Sequence, residues 1–170
     1  MIKVIDDIIS KDYADRIENL FLSINFPWYY IKDITDIGNQ KRPAFTHQLY
    51  NDKKVNSEVL EFLTPLIEAS GISGNLVQAR SFLQMPLAYD FNTPDDPHID
   101  LDYPHTVLLY YVKDSDGDTV LYGYDSLEET QRVTPKKGRA VIFDGMLYHT
   151  ALQPKLDTRC IINFDFYSSP

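Results

Sequence analysis

The chain has 170 residues, with 16 Lys plus Arg against 25 Asp plus Glu and a formal net charge of −9. That balance argues against a protein that grips a phosphate backbone, so nucleic acid is not an expected partner. With 44% apolar residues the chain can bury one core as a single domain over 1–170, and its one cysteine, Cys160, excludes an intramolecular disulfide or a cysteine-rich zinc site.

Residues 2–5 read as a short apolar strand, and the start lacks the basic and apolar blocks of a signal peptide, so a soluble cytoplasmic protein with no membrane partner is expected. Ser10 is a helix N-cap candidate, followed by Tyr13, Ile17, Leu20, Phe21 and Ile24 at helical spacing up to Pro27. Residues 28–31 look like a strand. The polar stretch 33–45, with Gly38, Lys41, Arg42 and Pro43, reads as a mobile loop that is a candidate lid, with Arg42 a candidate on the substrate side. A second helix is expected over 57–69, kinked or split by Pro65, and Gly71 and Gly74 close a helical and strand preface covering 1–74.

From residue 75 the pattern changes to short strands, expected at 76–84, 97–100, 106–113, 119–122, 132–134, 139–143, 148–151 and 158–167. Turn signals separate them, among them Asp116-Gly117-Asp118, Asp144-Gly145 and Pro154. The expected class is therefore mostly β with N-terminal helices, the β-rich part (75–170) forming a sandwich or jelly roll.

Chemistry concentrates in this second part. His98 and Asp100 in Pro97-His98-Ile99-Asp100-Leu101-Asp102 would share one face of a strand, where an imidazole and a carboxylate can converge on one metal ion. Asp102 lies one pleat further from His98, so Asp100 is preferred. A His-x-Asp triplet alone arises readily by chance. His149, at the start of another expected strand, adds a second imidazole, and two histidines with one carboxylate form the facial triad favoured by non-haem Fe(II). Zinc accepts similar ligands.

Arg159 lies inside the last expected strand, where an inward guanidinium is costly unless a carboxylate-bearing ligand pairs with it. Alternation places Arg159, Ile161, Asn163 and Asp165 on one face as a pocket wall, and Cys160, Ile162, Phe164 and Phe166 on the packed face. Asn163 and Asp165 are thereby candidates for the substrate side. Residues 90–97 lead into His98 and would shape the opposite wall. His47 and His105 read as surface or loop residues.

His98-x-Asp100, His149 and Arg159, in this order and spacing, resemble the 2-oxoglutarate/Fe(II)-dependent dioxygenases, in particular the prolyl 4-hydroxylase-like branch in its small microbial and phage forms. Thr106-Val107-Leu108-Leu109-Tyr110-Tyr111-Val112-Lys113 is similar to that branch's strand ending in Tyr-Leu-Asn, with Lys113 for the Asn. Asp116-Gly117-Asp118-Thr119 resembles its Gly-Gly-x-Thr turn, and residues 135–143 match its Pro-x-x-Gly-x-x-x-x-Phe segment. The resemblance covers roughly 76–167.

It implies a double-stranded β-helix (the cupin-like jelly roll), Fe(II) held by His98, Asp100 and His149, and 2-oxoglutarate bound through Arg159 with Tyr111, or Tyr110 if the register slips. It further implies a hydroxylase that consumes O2 and 2-oxoglutarate, releases succinate and CO2, and acts on a peptidyl residue, proline by analogy, or a small metabolite. Asp165 departs from the DNA-repair demethylase branch, which places a second arginine there. Two alternatives stand beside this reading: a divalent-metal cupin-like enzyme that does not use 2-oxoglutarate, and a catalytically silent jelly-roll binding module.

Overall fold

Ser10 caps the first helix as expected, its hydroxyl accepting the Tyr13 N–H at 3.3 Å. The computed structural model describes residues 2–34, 42–88, 93–124 and 126–167. Helix α1 (Lys11–Phe21) buries Ala14, Ile17 and Phe21 but stops well before Pro27. The Trp28 indole N–H donates to the Phe21 carbonyl at 3.0 Å and Phe26 stacks on Phe21 at 4.6 Å, so an aromatic clasp turns the chain there. Ile24, expected on the helix's apolar face, lies in that turn and is 98% exposed. Pro65 does split the second helix, into α2 (Val59–Phe62) and α3 (Thr64–Ser70). It sits in the first turn of α3, where its missing N–H costs nothing, and Gly71 at φ +68° ends that helix.

The strands are β1 (Ile2–Ile5), β2 (Tyr29–Ile31), β3 (Ala44–Asn51), β4 (Lys54–Val55), β5 (Asn75–Gln84), β6 (His105–Tyr111), β7 (Thr119–Tyr122), β8 (Glu129–Val133), β9 (Ala140–Asp144), β10 (His149–Ala151) and β11 (Arg159–Tyr167). They build a larger sheet in the order β1-β9-β6-β11-β5-β3-β2, with β4 attached to β3, and a smaller one in the order β10-β7-β8. All named pairings are antiparallel.

Two differences from the sequence expectation bear on the site. β3 begins inside the expected loop and pairs with β5 from Phe45↔Leu83 to Asn51↔Gln78. It carries His47, which is 6% exposed, with Nδ1 at 2.8 Å from the Pro27 carbonyl, and so is neither a surface nor a loop residue. The expected loop's residues 35–41, including Gly38 and Lys41, lie outside the described residues, as do 90–92 of the other expected wall segment. Residues 97–100 form no strand. Pro94 and Pro97 offer no N–H to a ladder, and a single bridge pairs His98 with His149.

The larger sheet is packed on both faces. Against the helices lie Leu108 and Tyr110 of β6 with Cys160, Ile162, Phe164 and Phe166 of β11, meeting Ile17, Phe21, Leu63 and Leu66. The opposite face places Val107, Leu109, Tyr111, Val141, Phe143 and Ile161 against Leu121 and Val133 of the smaller sheet. Among the described residues no helix is long and apolar enough to cross a membrane.

Cys160 is 1% exposed and burial pushes its thiol up to about 12. A thiol reagent at mildly alkaline pH is therefore expected to label it only on unfolding. Labelling followed against denaturant should track the loss of tertiary structure, and rapid labelling of the native protein would contradict the placement.

Candidate metal centre and carboxylate pocket

Register between β11 and β5 builds the pocket wall. Arg159 stands opposite Gln84, Ile161 opposite Phe82 and Asn163 opposite Arg80, so alternate residues of both strands point to one side. They line a cavity of about 250 Å³, closed by Thr119 of β7, by β10, and by Asp95, His98, Ile99 and Asp100. The cavity thus lies between the two sheets.

His98, Asp100 and His149 bring one ligating atom each to within 4.8 Å of the others. Reciprocal backbone hydrogen bonds of 3.0 and 2.9 Å between His98 and His149 set the imidazoles side by side, with ring centroids 4.8 Å apart. Each ring keeps Nδ1 at 3.2 Å from a carbonyl, of Asp96 for His98 and of Leu147 for His149, which leaves Nε2 for the site. Asp100 is gripped at both oxygens: Arg80 Nη2 donates to Oδ1 at 2.7 Å and Asn163 Nδ2 to Oδ2 at 3.0 Å. His149 Nε2 lies 3.3 Å from Oδ2.

Burial works against the Asp100 charge, yet the His149 hydrogen bond, together with the charges of His149, Arg80 and His98, holds its carboxyl far below the usual range. For His149, burial opposes protonation, but Asp100 carries its pKa above the ordinary histidine value. Burial, with His149 alongside, lowers that of His98. One firmly ionised carboxylate and two oriented imidazoles fit a divalent ion of the Fe(II) or Zn type.

At the other end, Arg159 is 3% exposed and spends its donors on neutral acceptors: Gly117 O at 2.9 Å, Gln84 Oε1 at 3.0 Å and Thr119 Oγ1 at 2.8 Å. Among the described residues no carboxylate lies within 4 Å of it. The Gln84 Nε2 beside it is buried and makes no hydrogen bond. A buried guanidinium with only neutral partners leaves a strong demand for an anion.

The remaining sequence candidates divide. Asn163 lines the cavity but acts on Asp100. The Tyr111 hydroxyl donates to Thr119 Oγ1 at 2.8 Å and stands behind that threonine, with burial pushing it up to about 12. Tyr110 projects from the opposite face of β6 into the helix-backed core, so it cannot serve as the fallback.

Arg42 is not in the cavity wall: it is 2% exposed and ion-paired to Asp95 Oδ1 at 2.7 Å. Asp165 is not on the substrate side either. It is fully buried beneath Asn163, where desolvation and the Asp100 charge push it up to about 8. His105, expected at the surface or in a loop, is 1% exposed and begins β6. Ligating atoms of Asp100, His105 and Asp165 also lie within 4.8 Å of one another, but Asp100 is shared with the His98–His149 set, and burial beside it disfavours the Asp165 charge.

Arg80, Gln84 and Thr119 are site residues that the sequence reading does not single out, while Asp95 lies in the 90–97 segment expected to shape the opposite wall. For the first two, the signal was the alternation of β5 once its register with β11 is known. Asn163→Ala is expected to weaken divalent-metal binding roughly 10–100-fold while the fold is kept, as read by calorimetric titration; unchanged affinity would deny Asn163 its hold on Asp100.

A scan against protein-family models finds no match, and a search of the curated proteins finds none. Solved structures do match in fold. An oxidoreductase of the 2OG-Fe(II) oxygenase family from Burkholderia pseudomallei superposes with a TM-score of 0.72 at 10% identity, over 97% of this chain and 84% of that one. A Pseudomonas putida prolyl-4-hydroxylase gives 0.66 at 13% identity, over 98% and 92%. The non-heme alpha-ketoglutarate-dependent epimerase SnoN from nogalamycin biosynthesis gives 0.68 at 13% identity, over 98% and 77%. The chain has the fold that these proteins share.

Proposed function

We propose that this chain is a 2-oxoglutarate-dependent oxygenase of the double-stranded β-helix type, working as one domain over 1–170. It holds Fe(II) through His98, Asp100 and His149 and takes the distal carboxylate of 2-oxoglutarate on Arg159. It hydroxylates a C–H bond of a peptidyl residue or a small metabolite. The observation that carries this reading is Arg159, a buried cation whose hydrogen-bond partners among the described residues are all neutral, in the wall of the same cavity that holds the three ligating side chains. The shared fold supports it. Because an epimerase also has this fold, the substrate is not inferred from it.

When bound, iron with 2-oxoglutarate and O2 supplies the oxidising power, and the co-substrate leaves as succinate and CO2. The chain's own work is positioning. Arg80 and Asn163 fix the Asp100 carboxylate from two sides. Gln84 and Thr119 fix the guanidinium plane, and Tyr111 in turn fixes Thr119. Phe82, Ile99, Leu109 and Ile161 give the cavity apolar surface that limits water around the reacting groups.

Anaerobic titration of the protein with Fe(II) and then 2-oxoglutarate is expected to develop the weak visible charge-transfer band of the chelate. His149→Ala should abolish it. Arg159→Ala should keep the metal but raise the 2-oxoglutarate required by roughly 30-fold or more, the effect of losing one partner of a buried charge pair. An unchanged titration in Arg159→Ala would remove Arg159 from the co-substrate site, metal uptake without the band in the wild type would leave a divalent-metal protein of another chemistry, and failure to take up metal would leave a binding module.

A further inference from the structure

The cavity that holds Arg159 is lined on its closing side by another ionisable group. Asp95 lines the same cavity and is 3% exposed. Its place is fixed on both sides of the backbone: its N–H donates to Ala151 O at 2.9 Å, and Thr150 Oγ1 donates to its carbonyl at 2.8 Å. Arg42 Nη1 meets its carboxylate at 2.7 Å, while Arg42 Nη2 donates to Thr93 O at 3.0 Å and Thr93 Oγ1 at 3.3 Å, so the guanidinium is anchored independently of the acid. Among the described residues the charged groups acting on Asp95 are Arg42 in contact, Arg159 from β11 and Asp33 from the segment after β2; Thr150 and Ala151 on the β10 side are neutral.

We propose that Asp95, backed by Arg42, sets how tightly this end of the cavity takes a dicarboxylate: ionised, it opposes the carboxylate that docks on Arg159, and binding draws a proton from solvent onto Asp95. The inference rests on the reading of this cavity as the 2-oxoglutarate site. Arg42 offsets the Asp95 charge, so the pocket is not closed to anions, but a ligand carboxylate in the same buried wall adds repulsion that protonation removes. Burial already pushes Asp95 up to about 6, and a neighbouring anion raises it further, so the proton is taken up near neutrality. Since the protonated acid favours the complex, affinity rises as pH falls from above the bound-state value to below the free-state value, and is flat outside that window.

The test is calorimetric titration of 2-oxoglutarate into the metal-loaded protein, with Mn(II) in place of Fe(II) so that air need not be excluded. It runs from about pH 5.5 to about pH 8.5 in two buffers of different ionisation enthalpy. The expected result is uptake of up to one proton per ligand, with about tenfold tighter binding across the range for each unit by which the ligand shifts the acid. Asp95→Asn, which fixes the neutral state, should bind at the alkaline end as tightly as the wild type does at the acidic end, and the pH dependence should vanish. Binding without proton uptake in the wild type, or the same pH profile in Asp95→Asn, would overturn the role of Asp95 alone. No binding of 2-oxoglutarate at any pH would overturn the cavity's assignment and this inference with it. If Asp95→Asn does not fold, a wild type that binds without taking up a proton still overturns the role.

Discussion

Every side chain of a strand must point to one face of its sheet or the other, and β11 is where this constraint shapes the protein. The strand is paired on both edges, to β5 and to β6, so its register is fixed twice over. With Cys160, Ile162, Phe164 and Phe166 committed to the helix-backed core, Arg159, Ile161 and Asn163 have only the cavity to face. The apolar face, which supplies the burial energy, thereby places the polar one. A slip of one residue would drive a guanidinium into the packed core, a far greater cost than any loss in the pocket.

Charge is then distributed by pairing. Asp100 is held by Arg80 from the neighbouring strand, and Asp95 by Arg42. Asp165, which among the described residues hydrogen-bonds to the Asn163 amide alone, is pushed by burial and the Asp100 charge toward its protonated form. Arg159 is the exception, a buried cation whose hydrogen-bond partners are all uncharged. Three acids and three arginines around one small volume thus have distinct environments, and each follows from which strand or segment the residue occupies.

The order of the β-rich strands was legible because turn residues punctuate them and Val, Ile, Phe and Tyr fill them. His98, Asp100, His149 and Arg159 could be singled out because few chemistries need those residue types together. What was not legible depends on contacts distant in sequence. β3 has an uneven polar pattern and becomes a strand through its pairing with β5. Arg42 looks like a loop cation until Asp95 is seen beside it. His98 and Asp100 converge through one bridge to His149 rather than through the strand their spacing suggested. Tyr110 and Tyr111 are equivalent in sequence, and only the orientation of β6 separates core from pocket side.

β1 pairs with β9, Ile2 opposite Phe143. Its partner lies far along the sequence, so β1 cannot join its sheet until the chain has been made through β9. Such long-range pairing carries a large loop-closure cost and slows folding. Lys137, just ahead of β9, meets Asp15 and Glu18 of α1, so the same stretch of chain also ties down the first helix. Both partners of β6, β9 and the central β11, come after it in the chain, so nascent chains stalled before β9 would expose both β6 edges to one another.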